Sequence, residues 1–178
     1  NRFLYEGGNP TLQPEKVFNV EAMMLYKWLN VSVGYKYLKD VMEWTKYIYP
    51  GKEFAYNTSL NFDHKQLLYA SVHVSPKFGI FRPTWGFNYN QQFFDTKKYG
   101  SSKALSKPLL SCSLNNNFAL SETMNAAIRL NASTTHADGF LMMKSDYSVN
   151  LQFDKSFANR TWIIYLSAND IFKTTKER

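Results

Sequence analysis

Three histidines and one cysteine are the residues of this sequence best suited to metal or nucleophilic chemistry. His64, His73 and His136 lie far apart and show none of the short spacings that bring metal ligands together. Cys112 is alone, which excludes an internal disulfide and a cysteine-rich metal site. Its neighbours alternate between apolar and polar types, so we interpret it as a small packing residue on the apolar face of a strand. The sequence predicts no metal site and no cofactor.

Catalytic motifs are also missing from the sequence. It has no G-x-S-x-G elbow, no phosphate-binding glycine loop, and no acid and base at a spacing typical of an active site. Four N-x-S/T sequons begin at Asn30, Asn57, Asn131 and Asn159, and we attribute them to the abundance of asparagine and serine rather than to glycosylation. We therefore predict that the protein is not an enzyme.

One set of polar residues is better placed to meet a solute. Its members alternate with apolar residues, and alternation in an extended chain brings them to one face. A face of amides, hydroxyls and a few charges suits hydrogen bonds to a dissolved molecule, and it suits a plain hydrated wall equally well. The candidate contacts are His73, Lys77, Asn88, Asn90, Arg129, Asn131, Asn150 and Gln152.

Strands must position these residues, because apolar and polar residues alternate with period two along most of the chain. The segments that alternate cover roughly residues 18–28, 31–37, 53–78, 85–90, 108–118, 124–133, 146–153 and 162–168. No segment has the period of a helix of any length. The sequence therefore predicts an all-β fold, an antiparallel up-and-down meander of about eight strands.

The links between the predicted strands alternate in length. Short links are predicted at Leu29-Asn30, Ile80 to Pro83, Leu120 to Glu122 and Asp154 to Arg160. Longer, more polar links are predicted at Tyr49 to Glu53, around Pro50-Gly51, at Asp95 to Lys107, and at Thr134 to Gly139, which ends in the turn pair Asp138-Gly139. Short turns at one end and long loops at the other are typical of a transmembrane up-and-down barrel, so this chain is predicted to be part of one.

The composition favours a membrane barrel over a soluble β-sandwich or a lipocalin-like barrel. Those soluble folds bury Val, Ile and Leu and expose charges, whereas only 20% of this chain is charged and 17% is aromatic. Its polar positions carry mainly Asn, Ser, Gln and Gly, which suits a wide water-filled lumen. Aromatic residues near the strand ends suit an interfacial girdle, as at Tyr35, Tyr37, Trp85 and Trp162.

Charge and hydropathy exclude two further classes of protein. The formal net charge of +7 comes from scattered Lys and Arg residues, so we do not predict nucleic-acid binding. No apolar run approaches the ~18 residues of a membrane-spanning helix, so a helical membrane protein is not predicted either.

Two segments carry a family resemblance. "EGGNPTLQPEKVFNVE", Glu6 to Glu21, resembles the G-N-P-x-L-x-P-E-x-x-x-x-x-E segment of TonB-dependent outer-membrane receptors and the related outer-membrane β-barrel family, where it leaves an external loop and enters a descending strand. "DKSFANRTWIIYLSANDIFKTTK", Asp154 to Lys176, is similar to the late-barrel segment of that family, whose strand closes with D-[IVL]-[FL]-[ND]-x-T. Lys173 stands where Asn is usual.

The resemblance implies the C-terminal part of a barrel of about 22 strands, with residues 1–178 forming one partial barrel domain that lacks the plug domain and the final strands. It implies uptake of an iron chelate, a vitamin or a glycan across the outer membrane of a Gram-negative bacterium. The implied partners are outer-membrane lipid and an energy-transducing TonB-type complex, reached through an N-terminal region outside this sequence. With two open edges, the isolated chain is expected to self-associate. The alternative is a complete eight-stranded barrel with a structural or adhesive role.

Overall fold

Strands make up the regular structure of this chain. The computed structural model describes residues 4–48, 55–94, 105–157 and 161–174, and these ranges hold eleven strands and no helix. The strands are β1 (Leu4–Glu6), β2 (Lys16–Tyr26), β3 (Leu29–Ile48), β4 (Ala55–Val74), β5 (Phe81–Phe94), β6 (Leu109–Ser121), β7 (Met124–Ser133), β8 (His136–Asp138), β9 (Leu141–Met143), β10 (Asp146–Phe157) and β11 (Trp162–Ala168). The prediction of an all-β fold is confirmed.

Eight of these strands form one antiparallel meander, in the order β2, β3, β4, β5, β6, β7, β10, β11. The β8–β9 hairpin interrupts the connection from β7 to β10 and forms a small sheet of its own. β1 adds a short parallel pairing along one end of β4. β2 and β11 are the edges of the meander, and no pairing joins them within the described ranges. The predicted antiparallel meander of about eight strands is confirmed.

The pairing register separates apolar from polar side chains. One row across six strands consists of Val31, Val72, Phe87, Cys112, Ala132 and Tyr147. The row beside it, on the opposite side of the sheet, consists of Ser32, Ser71, Asn88, Ser111, Ser133 and Asp146. We call these two sides the apolar face and the polar face. Val33, Phe87 and Ile128 of the apolar face are 49%, 46% and 39% exposed, so this face has little protein cover.

The register also fixes the tilt of the strands. One row of paired residues begins at Ala22 in the middle of β2 and crosses β3, β4 and β5 to Leu110 on β6. The fifth step leads to Thr134, just after β7, whose N–H donates to the Leu110 carbonyl. Thr134 lies about five residues past the middle of β7, so the stagger is about one residue per strand. A rise of ~3.3 Å per residue against a strand spacing of ~4.8 Å gives a tilt of about 35°. Transmembrane barrels have strand tilts of about 35–45°.

β3 and β4 are longer than a membrane span requires. Each has 20 residues, whereas a spanning strand needs about 9–11. β2 pairs with β3 only as far as Lys39, and β5 pairs with β4 only from Lys65 onward. The remaining halves of β3 and β4 pair with each other and stand beyond the meander at its long-loop end, and we call them the extension.

In β3, the residues that are covered by protein change from even-numbered to odd-numbered where the extension begins. Asp40 has a φ of +57°, a conformation that aspartate tolerates better than most residues. Before Asp40, the even-numbered residues of β3 are covered, as at Ser32. After it, the odd-numbered residues are covered, since Val41 is buried and Met42 is exposed. The polar face therefore continues into the extension as a surface that carries large apolar side chains.

Several predicted links are displaced. The turns are Lys27-Trp28 instead of Leu29-Asn30, and Glu122-Thr123 instead of Leu120 to Glu122. The link predicted at Ile80 to Pro83 lies mostly in β5, because the chain turns earlier, at Gly79, which has a φ of +57°. The link predicted from Asp154 is strand as far as Phe157. The predicted turn at Pro50-Gly51 and the loop at Tyr49 to Glu53 lie outside the described residues, as does most of the loop at Asp95 to Lys107.

The D-I-F-K-T-T element forms a turn rather than the end of a strand. β11 ends at Ala168, and the Asp170 carboxylate accepts hydrogen bonds from the N–H and the hydroxyl of Thr174, at 3.0 and 2.8 Å. The Asp170 N–H donates to the Asn150 side-chain oxygen at 2.8 Å, which docks the turn on β10. Lys173 has a φ of +52°, the left-handed conformation that Asn adopts more easily than Lys. This geometry accounts for Asn as the usual residue there.

Candidate functional site

The polar face is the candidate functional surface, and its middle is lined by small side chains. Two neighbouring rows cross it. One consists of Ser32, Ser71, Asn88, Ser111, Ser133 and Asp146, and the next consists of Asn30, His73, Gly86, Ser113, Asn131 and Ser148. These groups are mostly hydroxyls and amides, and some bond to each other, as the Ser32 and Ser71 hydroxyls do at 2.9 Å. Such a wall offers donors and acceptors to water or to a solute without a strong field of either sign.

Seven of the eight candidate contacts lie on this face. The register places Asn131 in the same row as His73, and it pairs Arg129 directly with Asn150 on β10. Asn88 donates to the Ser111 hydroxyl at 3.4 Å, and Asn90 is exposed. Lys77 is the exception, because it lies in the turn between β4 and β5. Their role as solute contacts stays a prediction.

Two aromatic rings lie across glycines on the polar face. The Tyr69 ring covers Gly34 on β3 and reaches β2, where its hydroxyl donates to Asn19 at 3.1 Å and to Glu21 at 3.2 Å. The His73 ring lies over Gly86, where an added Cβ would come within 3.1 Å of the ring nitrogen. A larger residue at Gly34 or Gly86 would displace the ring above it, so these glycines shape the wall.

The short-turn end of the polar face carries two oppositely charged side chains, Arg82 and Asp154. A recess of about 260 Å³ lies among Arg82, Asn117, Gln152 and Asp154, with the small Ala127 at its floor. The Asp154 carboxylate accepts a hydrogen bond from Asn125 at 2.8 Å, so it is already engaged within the wall.

At the long-loop end, the extension carries an aromatic cluster that the sequence patterns did not reveal. Val41 and Phe62 are each 2% exposed, and Phe94 at the end of β5 packs edge-on against Phe62 with ring centroids 5.2 Å apart. Phe140, in the turn of the β8–β9 hairpin, packs against Phe62 and Phe94 at 4.9 and 5.2 Å. The sequence carries one signal of this cluster: Phe94 continues the even-numbered, polar series of Gly86, Asn88 and Asn90, whereas Phe62 falls in step with the apolar series of Leu68, Ala70 and Val72.

A polar network surrounds this cluster. Gln92, 4% exposed, donates to the carbonyls of Leu105 and Gly139, both at 2.9 Å, and accepts from the Gly139 N–H at 3.0 Å. Lys65 forms an ion pair with Glu43 at 2.8 Å, and its ammonium lies 5.2 Å from the centre of the Phe94 ring. These bonds join the wall, the extension and the β8–β9 hairpin at the long-loop end.

The N-P-x-L-x-P-E segment also docks on the extension. Asn9 donates to the Ser59 carbonyl at 3.1 Å, and the Asn61 side chain accepts from Gln13 N at 2.7 Å and donates to the Gln13 carbonyl at 2.9 Å. The Glu15 carboxylate accepts from the Met42 N–H at 3.3 Å. The polar residues of this motif thus hold the chain against the extension before β2 begins.

Other chemistry has little support in the described part of the chain. It contains no group of three or more His, Cys, Asp or Glu residues that could hold a metal ion. Cys112 lies half-buried on the apolar face, opposite Phe87 and Ala132. No helix within the described ranges is long and apolar enough to cross a membrane.

The comparisons with known proteins agree with this two-faced meander. The model of the outer membrane protein beta-barrel family matches residues 1–178. No curated protein and no solved structure matches the chain. The family places the protein in the outer membrane of Gram-negative bacteria. This chain belongs to the outer membrane protein beta-barrel family.

Proposed function

We propose that the chain is part of the barrel of a TonB-dependent receptor, which takes up a ligand across the outer membrane. The observation that carries this proposal is the row of small residues across the middle of the polar face. The interior of an eight-stranded barrel is just filled by side chains, and rows of Ser, Gly and Asn are too small to fill one. They suit a wide lumen instead, with these eight strands forming part of its wall.

The edge strands support the same proposal. Met23 and Leu25 on β2, and Ile163 on β11, occupy polar-face positions and are 65%, 72% and 67% exposed. Apolar side chains on an otherwise hydrated wall call for a protein surface in the lumen. A plug domain would supply that surface, and further strands would pair with the edges of β2 and β11.

The transported ligand, an iron chelate, a vitamin or a glycan, would enter at the long-loop end, which in this class of barrel faces outward. The polar-face residues that were predicted as contacts would then line its path. Asn88, Asn90, Asn131 and Asn150 supply both donors and acceptors, so they would exchange hydrogen bonds with water for hydrogen bonds with the ligand.

The direct test is binding to the energy-transducing partner. The intact protein that contains this chain, purified in detergent, should be retained by an immobilised periplasmic domain of TonB. The same domain carrying a scrambled contact segment is the control. Equal retention on both supports, or none on either, would refute the uptake proposal.

A second candidate, a complete eight-stranded barrel, is favoured by the strand count of the meander. It predicts that β2 and β11 pair with each other. In a Cys112→Ser background, Met23→Cys with Ile163→Cys would then be joined by a short bismaleimide. The receptor proposal predicts no such product, while Ser32→Cys with Ser71→Cys, which face each other across β3 and β4, should be joined in either case.

A further inference from the structure

The β8–β9 hairpin does not stand out from the sheet but folds onto its polar face. Gly139 has a φ of +52°, and with Phe140 it forms the two-residue turn of the hairpin. The turn places the Phe140 ring against Phe62 and Phe94, so the tip of the hairpin is inserted into the aromatic cluster of the extension. Burial of an aromatic ring among others is a strong anchor for a short loop.

Gln92 is the polar anchor of the same tip. Both hydrogens of its amide are used, one by the Leu105 carbonyl and one by the Gly139 carbonyl, and its oxygen accepts from the Gly139 N–H. The side chain is almost fully buried, so none of these bonds is readily replaced by water. Release of the hairpin would leave buried donors and acceptors without partners.

The base of the hairpin is tied as well. The Ala137 N–H donates to the Lys107 carbonyl at 3.0 Å, and the Ser145 N–H donates to the Thr135 hydroxyl at 3.1 Å. The hairpin is therefore held to the rest of the fold at its tip and at β8, and its two ends are joined to each other.

A cavity of about 230 Å³ remains between the hairpin and the wall. Leu67 and Gln92 line it from the wall, and His136 and Asp138 line it from β8. Pockets that hold drug-sized ligands measure about 300–1,000 Å³, so this space admits a smaller group. Asn90, one row toward the middle of the wall, also lines the cavity, whereas Asn131 on the same face is exposed and is not part of the lining.

We propose that the β8–β9 hairpin is a size filter at the long-loop end of the polar face, and that Gln92 is the positioning residue that holds it there. The inference rests on the proposed function, because it assumes that solutes travel along this face. It deepens that function by naming the element that limits which solutes reach the wall, namely those with a group small enough for the cavity.

The test compares the access of a small and a bulky thiol reagent to two positions, in intact cells that express the protein in a Cys112→Ser background. Leu67→Cys reports the space beneath the hairpin, and Asn131→Cys reports the open wall of the polar face. The small reagent is methanethiosulfonate ethylammonium, and the bulky reagent is a maleimide that carries a long polyethylene glycol. The filter predicts that the small reagent labels both positions and that the bulky one labels Leu67→Cys about tenfold more slowly than Asn131→Cys.

The anchor is tested by adding Gln92→Ala, which should raise bulky labelling of Leu67→Cys by about tenfold. Gln91→Ala is the matched control, since Gln91 bonds to the Ser106 carbonyl at 3.1 Å but not to the hairpin, and it should leave the rate unchanged. Phe140 lies in the turn, outside the meander. Phe140→Ala should raise bulky labelling of Leu67→Cys as Gln92→Ala does, and it replaces Gln92→Ala in the test if that variant folds poorly.

Two results would overturn the proposal: equal bulky labelling of both positions in the otherwise unchanged protein, or no change with Gln92→Ala and Phe140→Ala. The measurement needs neither ligand nor TonB. Failure of TonB binding would therefore refute the uptake proposal, whereas the labelling rates test the position of the hairpin independently.

Discussion

An arginine at the centre of the apolar face should destabilise the protein more than an arginine on the polar face. Ile128 is the third of five apolar-face positions on β7, between Met124 and Ala132. Those five positions span about 27 Å along the strand, or about 22 Å along the membrane normal at a tilt of about 35°. This height is close to the apolar band of about 25 Å in outer-membrane barrels, so Ile128 lies near the bilayer midplane.

The magnitude follows from that depth. Arginine on the lipid face costs about 2–4 kcal/mol at the midplane and close to nothing at the interfaces. Ile128 is 39% exposed and pairs with Leu151, so a side chain at this position extends into lipid with no charged partner across the strand. We expect Ile128→Arg to lower the free energy of unfolding by about 2–4 kcal/mol.

The matched control lies three residues further along the same strand. Asn131 faces the opposite side, is exposed, and has small neighbours in Ser113 and Ser148, so Asn131→Arg should cost less than about 1 kcal/mol. The assay is a urea titration of the intact protein in phospholipid vesicles, followed by tryptophan fluorescence. Equal losses for the two variants would refute the assignment of lipid and water to the two faces.

Three further changes test the structure locally. Gly34→Ala should lower the free energy of unfolding by about 1–3 kcal/mol in the same titration, because its Cβ would displace the Tyr69 ring. Gly8→Ala is the control and should be neutral, because no atom lies within 4 Å of the added Cβ. Equal effects of the two variants would contradict the packing of Tyr69 on Gly34. Lys173→Asn should gain about 1 kcal/mol, because Asn suits a φ of +52°, and a loss would mean that the turn has another geometry. Asn61→Leu should speed hydrogen exchange in residues 7–15, whose docking it removes, and unchanged exchange there would contradict that docking.

The eight strands of the meander could be predicted because successive side chains of a strand point to opposite faces, so residue types alternate with a period of two. Apolar residues on one face and polar residues on the other give a clean alternation, as in Trp85, Phe87 and Tyr89 against Gly86 and Asn88. The turns were less predictable, since turn residues were expected to be Gly, Asn, Asp or Pro. Lys27 takes a φ of +50° without being one of these, so the first turn was placed two residues late.

The long-loop end could not be predicted in the same way. β8 and β9 have three residues each, too few to show a period, so the sequence predicts a polar link at Thr134 to Gly139 in place of β8 and no strand in place of β9. The parity change at Asp40 depends on a single backbone dihedral, which the sequence does not report. Gln92 continues the polar alternation of β5, so its role as an anchor follows only from what the tertiary fold brings to it.

The central claim is that one face of the meander contacts lipid and the other contacts water. The most direct measurement uses nitroxide labels in the intact protein in lipid vesicles, with collision rates measured for oxygen, which concentrates in the bilayer, and for a water-soluble nickel chelate. We predict preferential collision with oxygen at Val72, Ile128 and Ile164, and with the chelate at Asn88, Asn131 and Asn150. Similar collision ratios at all six positions, or a reversal between the two sets, would contradict the claim.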